Sequence, residues 1–208
     1  MSSMNKDLSH QRDMILRMAQ YATRSVEITK KLFTTSDLSV RKQVWEEVNT
    51  ISKVLDTFRE DVIAEILSFM IRYQPLGKEL RITKTLINVT YDIYRISRYC
   101  REISRVDSML APENGVSVIS EFINIFDDVL RALNAAFEDL RELSVAREDI
   151  VKEIDNKVDT EYMKILKEIT SLPIVNREKA IKALLMRHVE RIVDHAYYIE
   201  NYVKELQQ

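Results

Sequence analysis

Two glycines and three prolines in 208 residues leave this chain few places to turn. They are Pro75, Gly77, Pro112, Gly115 and Pro173. The stretches between them are rich in Leu, Ile, Glu, Lys and Arg, most of them good helix formers, and the two strongest helix breakers are scarce. An all-α protein follows. Ser36 or Asp37, in Thr34-Thr35-Ser36-Asp37, is suited to cap a helix N-terminus, as is Asn176, and a softer break is expected around Ser144. The punctuation predicts six helices, at about 5–33, 38–73, 78–110, 116–143, 146–171 and 176–206.

The apolar phase of the last helix recurs earlier in the chain. Leu185, Val189, Ile192, Ala196 and Ile199 alternate in steps of four and three, and Val89, Ile93, Ile96, Cys100 and Ile103 repeat them 96 residues upstream. Val151, Ile154, Val158, Ile165, Ile169 and Leu172 likewise repeat Val48, Ile51, Leu55, Val62, Ile66 and Phe69 at an offset of 103. The two offsets differ by seven, about two helical turns, so the facing surfaces stay in register. The pattern predicts two tandem pseudo-symmetric three-helix bundles, near 1–109 and 110–208.

With 31 basic and 33 acidic residues, no basic excess calls for nucleic acid. The single cysteine, Cys100, permits no internal disulfide and fits a reducing cytosol. Residues 1–12 lack an apolar signal core, and no apolar run approaches the ~18–20 residues of a spanning helix. A soluble, cytoplasmic protein without direct membrane insertion is expected.

Two short acidic signatures stand out. Asp155 and Asp159, and Glu190 and Asp194, are four residues apart, so each pair shares one helix face beside the apolar seam. If the last two helices are antiparallel neighbours, as their short link favours, the four carboxylates could converge. Such a site is a hard oxygen site that suits Fe(III), Mn, Mg or Ca, with Zn admissible. The same spacing also occurs on solvated helix faces, where the acids pair with Lys and Arg. His195 beside Asp194 points about 100° away around the helix, which suits an outer partner of the site or a surface residue. The repeat offsets map Asp155, Asp159, Glu190 and Asp194 onto Ser52, Asp56, Tyr94 and Arg98, where one acid of four survives. An Arg98–Asp56 ion pair, aided by Asp92, is one expectation for that degraded site. An Arg98 that merely points to water is the other.

Three segments carry a family resemblance. Arg72-Tyr73-Gln74-Pro75-Leu76-Gly77-Lys78-Glu79-Leu80-Arg81 resembles the R-x-Q-P-x-x-x-D/E-L-R link of the PhoU family of phosphate-uptake regulators. Asp155-Asn156-Lys157-Val158-Asp159 resembles its D-x-K-V-D motif, and Val189 to Ala196 resembles L-E-R-I-G-D-H-A. The resemblance implies two three-helix repeats and metal clusters held by paired E(D)-x-x-x-D motifs. Asp155, Asp159, Glu190 and Asp194 match the second cluster. Ser52, Tyr94 and Arg98 depart from the first, which implies metal in the second repeat only, iron first, with zinc, manganese or magnesium as alternatives. Val193 and Ser97 replace the motif glycine.

The resemblance further implies a non-enzymatic negative regulator of phosphate import and starvation signalling. Its partners would be the ATPase subunit of a phosphate ABC transporter or another cytoplasmic transporter or signalling protein, and a homodimer is compatible. Relatives beside other ion transporters, including potassium systems, usually carry a further ligand-binding domain. A metal-free helical adaptor is the competing reading. It would bind through Trp45, Tyr197, Tyr198 and Tyr202, residues that equally suit completion of the core. No catalytic set competes. No Glu-x-x-His pair of the di-iron bundles occurs, a phosphate-cradling glycine loop is impossible with these two glycines, and Cys100 occupies a core position.

Overall fold

The computed structural model describes residues 3–110 and 122–207. Among the described residues there are six α-helices and no strand: α1 (Ser3–Lys30), α2 (Leu38–Tyr73), α3 (Gly77–Leu110), α4 (Phe122–Glu142), α5 (Glu148–Thr170) and α6 (Arg177–Glu205). The expected first helix is shorter than predicted and ends in a 3-10 turn, Lys31–Phe33. The expected start of the fourth helix at 116, and the breaks at Pro112 and Gly115, lie outside the described residues.

Local chemistry explains the ends. Asp37 caps α2, its Oδ1 accepting from the Ser39 N–H at 2.8 Å. Asn176 caps α6, its Oδ1 accepting from the Lys179 N–H at 2.9 Å. Each satisfies an N–H that has no partner in the first turn. α2 stops at Gln74, which turns left-handed (φ 45°) while its N–H donates to the Met70 carbonyl. Pro75 follows, so the helix cannot resume. Gly77 then opens α3 at φ +58°, a conformation that costs glycine little.

Each of two further turns is held by a buried charge. The Arg41 guanidinium, 2 % exposed, donates to the Leu32 and Thr35 carbonyls and to Asp107. In the α4–α5 turn Asp139 is fully buried and accepts from the Arg147 N–H at 2.7 Å, the Arg147 guanidinium at 2.6 Å and the Ser144 hydroxyl at 2.9 Å.

α1, α2 and α3 pack on one another, as do α4, α5 and α6, and the two triads join through α3 against α6 and α1 against α4. The core is continuous across that join. Ile15, Met18 and Val26 of α1 belong to the same cluster as Phe126, Val129 and Leu133 of α4. Phe33 stacks on Phe122 with ring centroids 5.2 Å apart. Each such side chain contributes about 1.5–3 kcal/mol on leaving water.

α3 and α6 run antiparallel, because Asp92 meets His195 while Tyr99 meets His188. These two contacts are each other's images at the 96-residue offset. A pseudo-twofold axis therefore crosses the α3–α6 interface near Ile96 and Ile192, both fully buried. All ten apolar positions matched between α3 and α6 are fully buried. Tyr197 and Tyr202 pack partly buried against the core, whereas Tyr198 is exposed.

Candidate metal centre

α5 and α6 lie antiparallel, tied at their ends by Lys179 to Glu168 (2.7 Å) and Lys204 to Glu148 (2.6 Å). Val151, Ile154 and Val158 of α5 and Val189 and Val193 of α6 are buried along the seam. The acids next to these positions are thereby held at its outer edge. Asp159, Glu190 and Asp194 each direct a carboxylate oxygen to a common point, with these atoms all within 4.8 Å of one another. Asp155, one turn before Asp159, lies outside this trio.

Burial and the repulsion of neighbouring acids act on Asp155, Glu190 and Asp194. Removal from water, then Asp159 and Asp194, push Asp155 up to about 6. Burial and Asp194 push Glu190 up to about 7, against the lowering effect of Arg187. Asp194 moves up for the same first reason, with Asp159 adding to it. Burial penalises the ionised carboxyl, and a neighbouring negative charge penalises it further.

Two arginines partly answer that charge. Arg187 donates to Glu190 Oε1 at 2.5 Å and Arg191 to Asp194 Oδ2 at 2.7 Å. Both are i,i+3 pairs, legible in the sequence once the acids are singled out. Glu190, only 7 % exposed, keeps its Oε2 buried and without a hydrogen bond, the Arg191 Nε standing 3.6 Å away. A buried acceptor left over beside two other carboxylates is a donor set that fits a hard cation. Asp159 borders an open depression of about 610 Å³, so its carboxylate is reachable from solvent.

The first-half counterpart differs from expectation. No Arg98–Asp56 ion pair forms. Asp56 accepts from Arg59 at 3.0 Å, while Arg98 donates to the Tyr94 hydroxyl at 3.2 Å. Arg59 also lies over the Tyr94 ring, 5.0 Å from its centroid. Ser52 is buried. Arg59, an i,i+3 neighbour of Asp56 on its own helix, engages it instead, a spacing legible in the sequence.

Asp92 does not assist Arg98 either. It is 3 % exposed and accepts from His195 Nδ1 at 2.6 Å. His195 is correspondingly 7 % exposed rather than a surface residue. Its ring lies between Tyr99 (centroids 5.7 Å apart) and Tyr198 (5.6 Å, edge-on). The 100° that separates it from Asp194 directs it into α3. Cys100 is fully buried, and loss of water raises its thiol to about 11, so it is an inert core group.

The fold and site together define a helical bundle built on an internal pseudo-twofold, with one carboxylate cluster among the described residues and no corresponding cluster among them across the axis. The PhoU domain matches residues 15–106. That match spans 92 of the 208 residues. The chain is 26% identical over 182 residues to a protein of Archaeoglobus fulgidus named "Phosphate-specific transport system accessory protein PhoU homolog", covering 88% of this chain and 83% of that one. A Synechocystis protein of the same name is 22% identical over 185 residues, covering 88% and 81%. The crystal structure of PhoU from Pseudomonas aeruginosa superposes with a TM-score of 0.83 over 98% of both chains at 20% identity, which establishes the shared fold. No helix among the described residues is long and apolar enough to cross a membrane.

Proposed function

We propose that this chain is a non-enzymatic, metal-binding regulator of phosphate uptake, made of two three-helix repeats at 1–109 and 110–208. It would work in the cytoplasm by docking on the cytoplasmic component of a phosphate transporter or on a phosphate-starvation signalling protein. The observation that carries the reading is the convergence of Asp159, Glu190 and Asp194 on a PhoU-domain scaffold whose relatives are named phosphate-specific transport accessory proteins. Asp159, Glu190 and Asp194 would hold the metal, with Asp155 one turn away supplying further negative charge. Iron is the first candidate, with zinc, manganese and magnesium next. The metal would neutralise the repulsion among the acids and cross-link α5 to α6.

The test combines metal content with transporter association. Protein purified from its native host should carry a stoichiometric transition metal. Asp159→Asn with Glu190→Gln should lose it. The wild-type chain should co-purify with a phosphate-importer subunit, and its deletion should alter phosphate uptake. Unchanged uptake and no transporter component at either high or low phosphate would defeat the regulatory reading.

The Arg187–Glu190 and Arg191–Asp194 pairs favour a second reading, a metal-free helical adaptor in which arginines balance the acids. Regulation of another ion transporter, such as a potassium system, falls under the same alternative. A folded, metal-free protein that still co-purifies with a transporter, indifferent to Glu190→Gln, would select it.

A further inference from the structure

Across the pseudo-twofold from the carboxylate trio, the charge is inverted. Arg98 stands at the position of Asp194, Tyr94 at that of Glu190 and Ser52 at that of Asp155. The surviving acid, Asp56, is engaged by Arg59. Arg98 uses a donor on the Tyr94 hydroxyl, makes no carboxylate pair among the described residues, and has a buried Nε without an acceptor. Arg101, one turn further along α3, has no carboxylate partner among the described residues and likewise a buried, unmatched Nε. A guanidinium carries five donors in a rigid fork shaped for oxyanions, and most of these remain unused here.

Ser52 is the independent sign. It is 1 % exposed, yet its hydroxyl has no hydrogen-bond partner. A helical serine or threonine ordinarily bonds back to the carbonyl three or four residues earlier. Ser25, Thr29, Thr83 and Thr90 all do so in this chain. The antiparallel register fixed by Arg59 over Tyr94 and by Arg41 with Asp107 brings Ser52 level with Arg98.

We infer that this face is a metal-independent oxyanion site, in which Arg98 and Arg101 take a phosphate or carboxylate group and Ser52 and Tyr94 line it with hydroxyls. The built-in guanidinium does in the first half what a bound cation would do in the second: it presents fixed positive charge to an anion. The inference stands apart from the metal reading, because it requires no metal and concerns other residues.

The test is calorimetric titration of the full chain in EDTA at low salt. One arm uses inorganic phosphate and the other a glutamate-rich peptide. At least one should bind. Arg98→Gln should weaken that binding about tenfold or more, the loss expected for a charge-assisted hydrogen bond. Arg101→Gln should weaken it by a smaller factor. Phosphate binding alone identifies a free anion as ligand. Peptide binding alone identifies an acidic protein surface. Circular dichroism reports whether each variant is folded, and if Arg98→Gln is not, Arg101→Gln carries the comparison. Binding by neither ligand, binding that EDTA abolishes, or equal binding by folded variants and wild type would overturn the assignment.

Discussion

His195 Nδ1 donates to Asp92 Oδ1 at 2.6 Å, and the pair bridges the two halves of the molecule at one side of their pseudo-twofold axis. On the other side the same two positions are Tyr99 and His188, with ring centroids 5.9 Å apart and no charge between them. The two sides of the axis thus share an interface but differ in chemistry: one holds a buried polar bond and the other an aromatic contact.

Replacing Asp92 or His195 by alanine leaves the other group buried without its partner, so each change should destabilise the fold by about 2–3 kcal/mol. Both together should cost less than the sum. Urea denaturation of the four proteins of the cycle should show a coupling of about 1 kcal/mol or more. Additive losses would mean that the bond contributes nothing beyond packing.

Glu190 makes metal-free protein sensitive to pH. Burial and Asp194 hold Glu190 at about 7, above its ordinary 4.5. The folded state therefore binds more protons than the unfolded one between those values. Stability from this group is complete below about 4.5 and is lost as pH rises through about 7. Added Mn or Fe should reverse the loss at neutral pH. A metal present at about 100 times its Kd contributes about 2.7 kcal/mol, a rise in Tm of roughly 5–10 °C for a chain this long. Thermal melts of Glu190→Gln should show neither the pH trend of this group nor the metal effect.

Glu200 behaves in the same sense at a separate place. It is fully buried behind the α4–α5 turn, and burial, with Asp139 next, raises it to about 8. Its contribution is present below 4.5 and fades as pH climbs through about 8. Glu200→Gln should leave Tm nearly unchanged at pH 4.5 and raise it at pH 8.5. A substitution that lowers Tm equally at both values would show the carboxyl to be tolerated in its charged form.

The degraded half should be repairable if the two sites descend from one plan. Asp56 is already in place, so Ser52→Asp, Tyr94→Glu and Arg98→Asp together rebuild the paired motif. Metal analysis of the folded triple variant should show additional metal over wild type, retained when Glu190 and Asp194 are neutralised. Unchanged stoichiometry would mean that the α2–α3 surface has diverged in backbone as well as in side chains.

The helical class was legible because helix formation is local. Scarcity of glycine and proline, the caps Asp37 and Asn176, and the recurring apolar phase all act within a few residues, and they located α2 to the residue. The acids of α5 and α6 were legible for the same reason. A spacing of four fixes their face, and the short link brings the helices together as antiparallel neighbours. By themselves these residues determined an internally repeated bundle with acids on two adjoining helices.

Only the tertiary structure decided which charges meet. Asp92 and His195 are 103 residues apart, and nothing in either helix's periodicity marks them as partners. Asp56 had two arginines within plausible reach, and its own-helix neighbour Arg59 engages it while Arg98 turns to Tyr94. Asp155 shares a helix face with Asp159 and feels the charge of Asp159 and Asp194, yet it is not among the three carboxylates that converge. Side-chain pairing across helices depends on axial register and rotation to within a few ångströms, and those are set by the packing of the whole core rather than by any one segment.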